Sequence, residues 1–210
     1  MQRQQVASAV TLAVLFGALS LSWSLLGLLF PFAVPYEAVY SPALLAEVVG
    51  HFLFGLVAGA ATGRLAPALF AGLEAVLIDS DHLMAAAGFP VDARLSHSVF
   101  FIVLSSLLIA RAGRRRAFAP NSYAIMLVTL ASLLTHLAFD IASGDGFFPL
   151  FFPLSAGSYD LPYPAWPILE VGAVCLCLLA RRSWEEASGD SRPLRKNSLK
   201  FDRRKFSPEK

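Results

Sequence analysis

Residues 122–142 read SYAIMLVTLASLLTHLAFDIA, an apolar run interrupted only near its end by His136 and Asp140. About 20 consecutive apolar residues suffice to cross the hydrocarbon layer of a membrane. Inside that layer the backbone has no water to bond, so a single crossing segment must be a helix. His136 and Asp140 are four apart and therefore share one face of it. Ionisable groups at membrane depth are costly, which makes a pair of them on one helix face a functional hypothesis by default.

The rest of the chain has the same character. Of 210 residues 56% are hydrophobic and 15% charged, and mean hydropathy is +0.61, a balance far from that of a soluble domain. Further apolar runs cover residues 6–34, 42–62, 65–78, 95–110 and 165–180. With 122–142 they predict an all-α integral membrane bundle of about six transmembrane helices. Pro31 and Pro35 are expected to end the first span, Pro120 to precede the fifth, and Pro162, Pro164 and Pro167 to introduce the sixth. The first run is too long for the core of a signal peptide and is expected to stay as an anchor. Cys175 and Cys177 sit two apart in an apolar run, which suggests neither a disulfide nor a redox pair but small lipid-facing side chains.

Basic residues orient the bundle, because cytoplasmic loops collect Lys and Arg. Six spans put both termini on one side, and that side receives 16 of the 17 basic residues, with Arg94 alone opposite. The organisation expected is a multi-pass domain over 1–180, with its ionisable motifs within 47–155, in the plasma membrane. A basic, disordered cytoplasmic tail over 181–210 follows. That tail mixes five acids with its ten basic residues, so it reads as a solvated end that enforces topology, and no nucleic acid is expected as partner.

The four histidines, His51, His82, His97 and His136, all lie in or beside apolar stretches, and Asp79, Asp81 and Asp140 accompany them. At about 1.5 Å per residue, His51 lies roughly 20 Å from Arg64, Asp79 about 22 Å from Arg64, His97 about 21 Å from Arg111 and His136 about 24 Å from Pro120. Four helices thus bring ligand-type side chains to one depth, recessed below the outer surface. His and Asp together suit a divalent metal, with zinc favoured and manganese or iron as alternatives, as one or two ions. The metal set read from this pattern is His51, Asp79, Asp81, His82, His97, His136 and Asp140. Glu47, one turn from His51, is either a ligand or an orienting carboxylate. Glu74 and Glu170 read as hydrogen-bonded intramembrane acids. Thr135 and Ser96 precede ligand histidines and are candidate hydrogen-bond partners for them.

At these residues the chain resembles the YdjM family of bacterial and archaeal inner-membrane proteins over about 51–155. The resemblance rests on His51 with Gly55 and Gly59, on Ile78-Asp79-Ser80-Asp81-His82 for the family's PDxDH, and on Ser96-His97-Ser98 for its THS. His136-Leu137-Ala138-Phe139-Asp140 stands for HxxxD, and Gly144-Asp145-Gly146 runs into Phe152-Pro153-Leu154-Ser155. The chain departs from the pattern in having Ile78 for the usual Pro, no HRG before Ser96, and an extra N-terminal span. The resemblance implies a membrane-bound metal-dependent hydrolase. Phosphatidic-acid phosphatase chemistry of the SRx5HxxxD type is excluded, since no Ser-Arg pair stands at the required distance before His136.

The function expected is hydrolysis of a phosphoester in a lipid or lipid-linked substrate by metal-activated water. Asp81 and Arg94 are the catalytic candidates, Arg94 as the clamp on developing negative charge. The Phe147 to Phe152 stretch is either an interfacial guide for an acyl chain or a packed aromatic lid. The rival readings are a metal-ion carrier or transporter, for which polar groups would have to recur at successive depths, and a non-catalytic regulatory membrane protein.

Overall fold

The computed structural model describes residues 2–26, 43–82, 94–114, 121–155 and 157–187. Within these, six helices follow one another: α1 (Gln2–Ser24), α2 (Ala43–Ala60), α3 (Leu65–Leu77), α4 (Val99–Gly113), α5 (Ser122–Ser143) and α6 (Ala165–Ala187). A two-residue antiparallel pair, β1 (Phe147–Phe148) and β2 (Tyr159–Asp160), joins α5 to α6. The all-α expectation is met, with one helix for each apolar run. Pro31, Pro35 and Pro120, the tail from 188 onward, and the whole 83–93 connection lie outside the described residues.

Local chemistry sets the helix ends. Asn121 caps α5 by accepting from the Tyr123 N–H at 2.9 Å, and Pro167 falls in the first turn of α6, where no helical N–H is needed. The fourth helix starts at Val99 rather than Leu95, because Leu95–His97 forms a tight 3-10 turn and Ser98 caps the helix, accepting from the Phe101 N–H. The last helix runs on to Ala187, beyond the apolar run. Its end is polar outside, with Arg181 paired to Glu185 at 2.8 Å and Arg182 to Glu186 at 3.2 Å. It is apolar inside, where Trp184 is fully buried under the Arg64 guanidinium.

By length and composition two helices, α1 and α5, meet what a membrane crossing needs, while Leu45–Ala60 and Val99–Gly113 are apolar but shorter. At 1.5 Å per residue α3 alone covers only about 20 Å, and it is prolonged by the 3-10 turn Ile78–Ser80.

The core lies between α5 and the helices around it. α5 touches α2, α3, α4 and α6, and α1 closes against α3 and α4. Phe16, Phe70, Ile78, Phe101, Ile125, Leu133 and Trp184 fill the interior. α2 and α3 pack with almost no side chain between them. A Cβ on Gly55 would stand 2.6 Å from the Ala71 carbonyl oxygen, and one on Gly59 2.8 Å from the Ala68 Cα, the small-xxx-small contact that lets apolar helices approach closely. Cys175 is exposed and Cys177 buried, both as free thiols. Only the first is thus outward-facing, and Cys177 packs on Ala58, Ala131 and Ala173.

Outward faces are apolar over most of their length: Leu45, Val48, Val49, Leu53 and Val57 on α2, and Val103, Leu104, Leu107 and Leu108 on α4, are all exposed.

Candidate metal centre

Four chain segments deliver ligand-type atoms to one place. His51 comes from the middle of α2, and Asp79 from the 3-10 turn that ends α3. His97 comes from the turn before α4, and His136 and Asp140 from one face of α5. The His51 Nε2 lies 3.4 Å from Asp79 and 3.3 Å from Asp140. The His97 Nε2 lies 3.5 and 3.4 Å from the same two carboxylates, and the His136 Nε2 3.5 and 3.3 Å. His51 stacks on His136 with ring centroids 4.0 Å apart. The groups His51–His136–Asp140 and Asp79–His97–His136 each have ligand atoms within 4.8 Å of one another, as does a third, Asp79–Asp81–His82.

The donor chemistry fits a cation. His136 Nδ1 is 2.6 Å from the Ala75 carbonyl oxygen and His97 Nδ1 3.1 Å from that of Arg94. A carbonyl oxygen only accepts, so both Nδ1 atoms carry the proton and both Nε2 atoms present lone pairs. Those two Nε2 atoms stand 2.7 Å apart, facing carboxylates on both sides. Lone pairs and anionic oxygens converging in a buried space repel one another unless a positive charge sits among them. Fixing a ligand histidine through its other nitrogen is also how metal-binding imidazoles are oriented.

The orienting groups are therefore backbone carbonyls, not the expected hydroxyls. Thr135 bonds the Ser132 carbonyl, whereas Ser96 donates to the Ile78 carbonyl at 3.0 Å and to Asp81 at 3.3 Å. A hydroxyl-rich face of α1, unrecognised in the sequence reading, buttresses the site. Ser20 donates to the Ile78 carbonyl at 2.6 Å and Ser24 to Asp81 at 3.2 Å, while Ser80 donates back to the Gly17 carbonyl. The Ser20 bond, together with that of Ser96, gives donors to the Ile78 carbonyl at the end of α3, while the others tie Asp81 and Ser80 to α1. The serines four apart in an apolar run were the available signal. Ile78, where the family pattern has Pro, keeps an N–H that bonds the Glu74 carbonyl and carries the helix one turn further.

Asp81 stands beside the centre rather than in its middle. Its Oδ2 accepts the Arg94 backbone N–H at 2.8 Å, and its Oδ1 lies 3.9 Å from His82. His82 is 3.9 Å from Asp79 as well. Arg94 has left-handed backbone, φ 82°. Its guanidinium pairs with Asp145, donates to the Phe147 carbonyl at 3.1 Å, lies 3.9 Å from Asp140 and sits over the Phe148 ring. Asp145 is thus a site-edge residue that sequence reasoning passed over, although its place between two glycines marked it. Glu47 is exposed and outside the three groups. Glu74 is fully buried and accepts hydroxyls from Thr129 and Ser132, each at 3.1 Å, as a hydrogen-bonded acid should. Glu170 departs from that expectation, since its buried Oε2 has no hydrogen bond among the described residues. In the aromatic stretch Phe148 stacks near His97 and Phe152 meets Trp23 edge to face. Both are buried, as in a packed lid, while Phe147 and Phe151 are exposed.

A family model described as YdjM inner membrane protein matches residues 47–191, which include every ligand-type residue above and leave α1 outside. No curated protein matches the chain, and no solved structure does.

Proposed function

Because the chain belongs to the YdjM inner membrane protein family, we propose that it is a six-span membrane-embedded hydrolase that uses a divalent metal to cleave a phosphoester in a lipid or lipid-linked substrate. The observation that carries this reading is the convergence of three imidazole Nε2 atoms on the Asp79 and Asp140 carboxylates, with two of the imidazoles held in the ligand tautomer. His51, His97, His136, Asp79 and Asp140 would hold one ion, and Asp79 with Asp81 and His82 a second. Zinc fits this imidazole and carboxylate set best. Bound there, the metal supplies Lewis acidity, making water a better nucleophile and offsetting negative charge as it develops. Arg94, next to Asp140, binds and orients the phosphate group. Phe148, packed over Arg94 and His97, keeps bulk water away from that side.

A lipid setting is supported by the rows of exposed large apolar side chains along α2 and α4, since contiguous exposed apolar surface marks a face made for an apolar partner. The arginines support an orientation. Arg64, Arg114, Arg181 and Arg182 gather at the ends of the helices remote from the metal centre, where Arg64 covers Trp184 and Arg114 bonds Ser122. That end would be cytoplasmic, with both termini, and the centre would open toward the extracytoplasmic leaflet. A reporter fused after Lys210 should then be cytoplasmic and one inserted near Asp160 extracytoplasmic. The reverse pattern would move the site to the other leaflet.

The central test is metal. Purified full-length protein should contain one or two equivalents of a transition metal, and chelation should lower its melting temperature. Metal held at about a thousand times its Kd stabilises by roughly 4 kcal/mol. Protein that holds no metal, and whose melting ignores chelator, zinc and manganese alike, would overturn the reading. A hydrolysis screen on phospholipids then identifies the substrate.

A further inference from the structure

Arg94 is immobilised on several sides. Its backbone N–H is held by Asp81, its carbonyl by His97, one guanidinium nitrogen by the Phe147 carbonyl, and the plane of the group by the Phe148 ring. Its remaining terminal nitrogen, Nη2, is the one that faces the metal centre, 3.9 Å from Asp140, and the carboxylate of Asp145 is paired with it. Asp145 itself is built differently. Its side chain is 46% exposed, against 10% for Arg94, and makes no other hydrogen bond among the described residues. Its backbone is anchored by its N–H on the Asp140 carbonyl at 2.8 Å. The preceding Gly144 has φ 102° and open space where a Cβ would stand. The carboxylate can therefore rotate away into solvent without disturbing α5 or the ligands on it.

We propose that Asp145 is a displaceable internal anion: it occupies on Arg94 the seat that the substrate's phosphate takes, and swings out when phosphate arrives. The inference rests on the hydrolase reading and adds to it a basis for selectivity. A tethered carboxylate competes at high effective concentration, so an incoming monoanionic carboxylate gains little by replacing it. A phosphate brings more charge and a third oxygen, and its bidentate contact with a guanidinium is stronger. The pair thus screens out carboxylate ligands and neutralises Arg94 while the site is empty of substrate.

The test is titration of full-length protein in detergent with inorganic phosphate by calorimetry, both as purified and after chelation. Asp145→Asn should bind phosphate about tenfold more tightly than wild type, the size of one charge-assisted contact no longer competed for. Asp145→Glu, which keeps the carboxylate, should bind like wild type, and Arg94→Ala should lose the gain when combined with Asp145→Asn. A parallel titration with short-chain phosphatidic acid tells the sources apart: tighter binding than inorganic phosphate identifies a lipid headgroup, equal or weaker binding a free phosphate, and the Asp145→Asn gain is required in both. If Asp145→Asn melts like wild type yet binds phosphate no more tightly, the pair is a structural tie and the inference is overturned. If Asp145→Asn does not fold, Asp145→Ser takes its place, and failure of both to fold overturns the inference too. The arms keep the two readings separable. A protein without metal that still shows the Asp145→Asn gain loses the hydrolase reading alone, and a metal-bound protein without the gain loses only the exchange at Arg94.

Discussion

The His136→Ala protein should hold no metal and hydrolyse nothing. His136 belongs to two of the three ligand groups, and its Nε2 is within 3.5 Å of both central carboxylates. Without it the ion loses a donor, so buried Asp140 and half-buried Asp79 are left facing each other with no cation between them, and the Ala75 carbonyl loses the His136 N–H. Breaking a buried charged constellation by removing one partner costs about 3–5 kcal/mol, so a lower melting temperature should accompany the loss. Asp140→Asn separates chemistry from folding, because it keeps the shape and removes the charge. It should fold, bind metal far more weakly and be inactive. Arg94→Ala is the contrast, since it removes a contact to the phosphate and none to the metal. Metal should stay while kcat/KM falls by roughly 10²-fold, the effect of losing one stabilising donor. If all three variants retained full activity on every substrate the wild type cleaves, the cluster would not be the catalytic centre, and the carrier or regulatory readings would become the better ones.

Gly55→Val should cost both stability and the site. The new Cβ would stand 2.6 Å from the Ala71 carbonyl oxygen and 2.9 Å from its carbon, and backbone atoms in a helix cannot step aside as a side chain can. α2 and α3 must separate. Overpacking alone costs about 1–3 kcal/mol, and here it displaces the two helices that carry His51 and lead into Asp79. Metal affinity should therefore fall together with melting temperature, although no ligand has been touched. Gly172→Ala is the control: its Cβ would meet Leu134 at 3.6 Å, an ordinary contact, and should change neither. Equal melting of Gly55→Val and wild type would show that the close approach of α2 and α3 does not hold the site together.

Much of the centre could be read before folding was considered. Counting residues along separate helices matches His51, Asp79, His97 and His136 in depth, and the structure brings the three histidines to the Asp79 and Asp140 carboxylates. Counting works because rise per residue is a local constant of any helix. Adjacency in the chain misleads for Thr135, which precedes His136 but whose hydroxyl is captured by its own helix, as hydroxyls in apolar helices commonly are. Counting also had no means of finding the Ala75 and Arg94 carbonyls, which every sequence would present equally.

What the sequence by itself determined is the all-α architecture, the order of the six apolar helices, and the identity of the groups too costly to bury without a purpose. Those follow from composition, periodicity and the free energy of burying charge, all properties of single segments. Only the tertiary structure decided which nitrogen of His97 and His136 faces the carboxylates, that Asp81 spends one oxygen on the Arg94 N–H, that α1 reaches across to the site through Ser20 and Ser24, and that Arg94 meets Asp145. These are contacts between residues far apart in the chain. They depend on how closely two helices can approach, and on the direction in which each side chain then points, which no local property specifies.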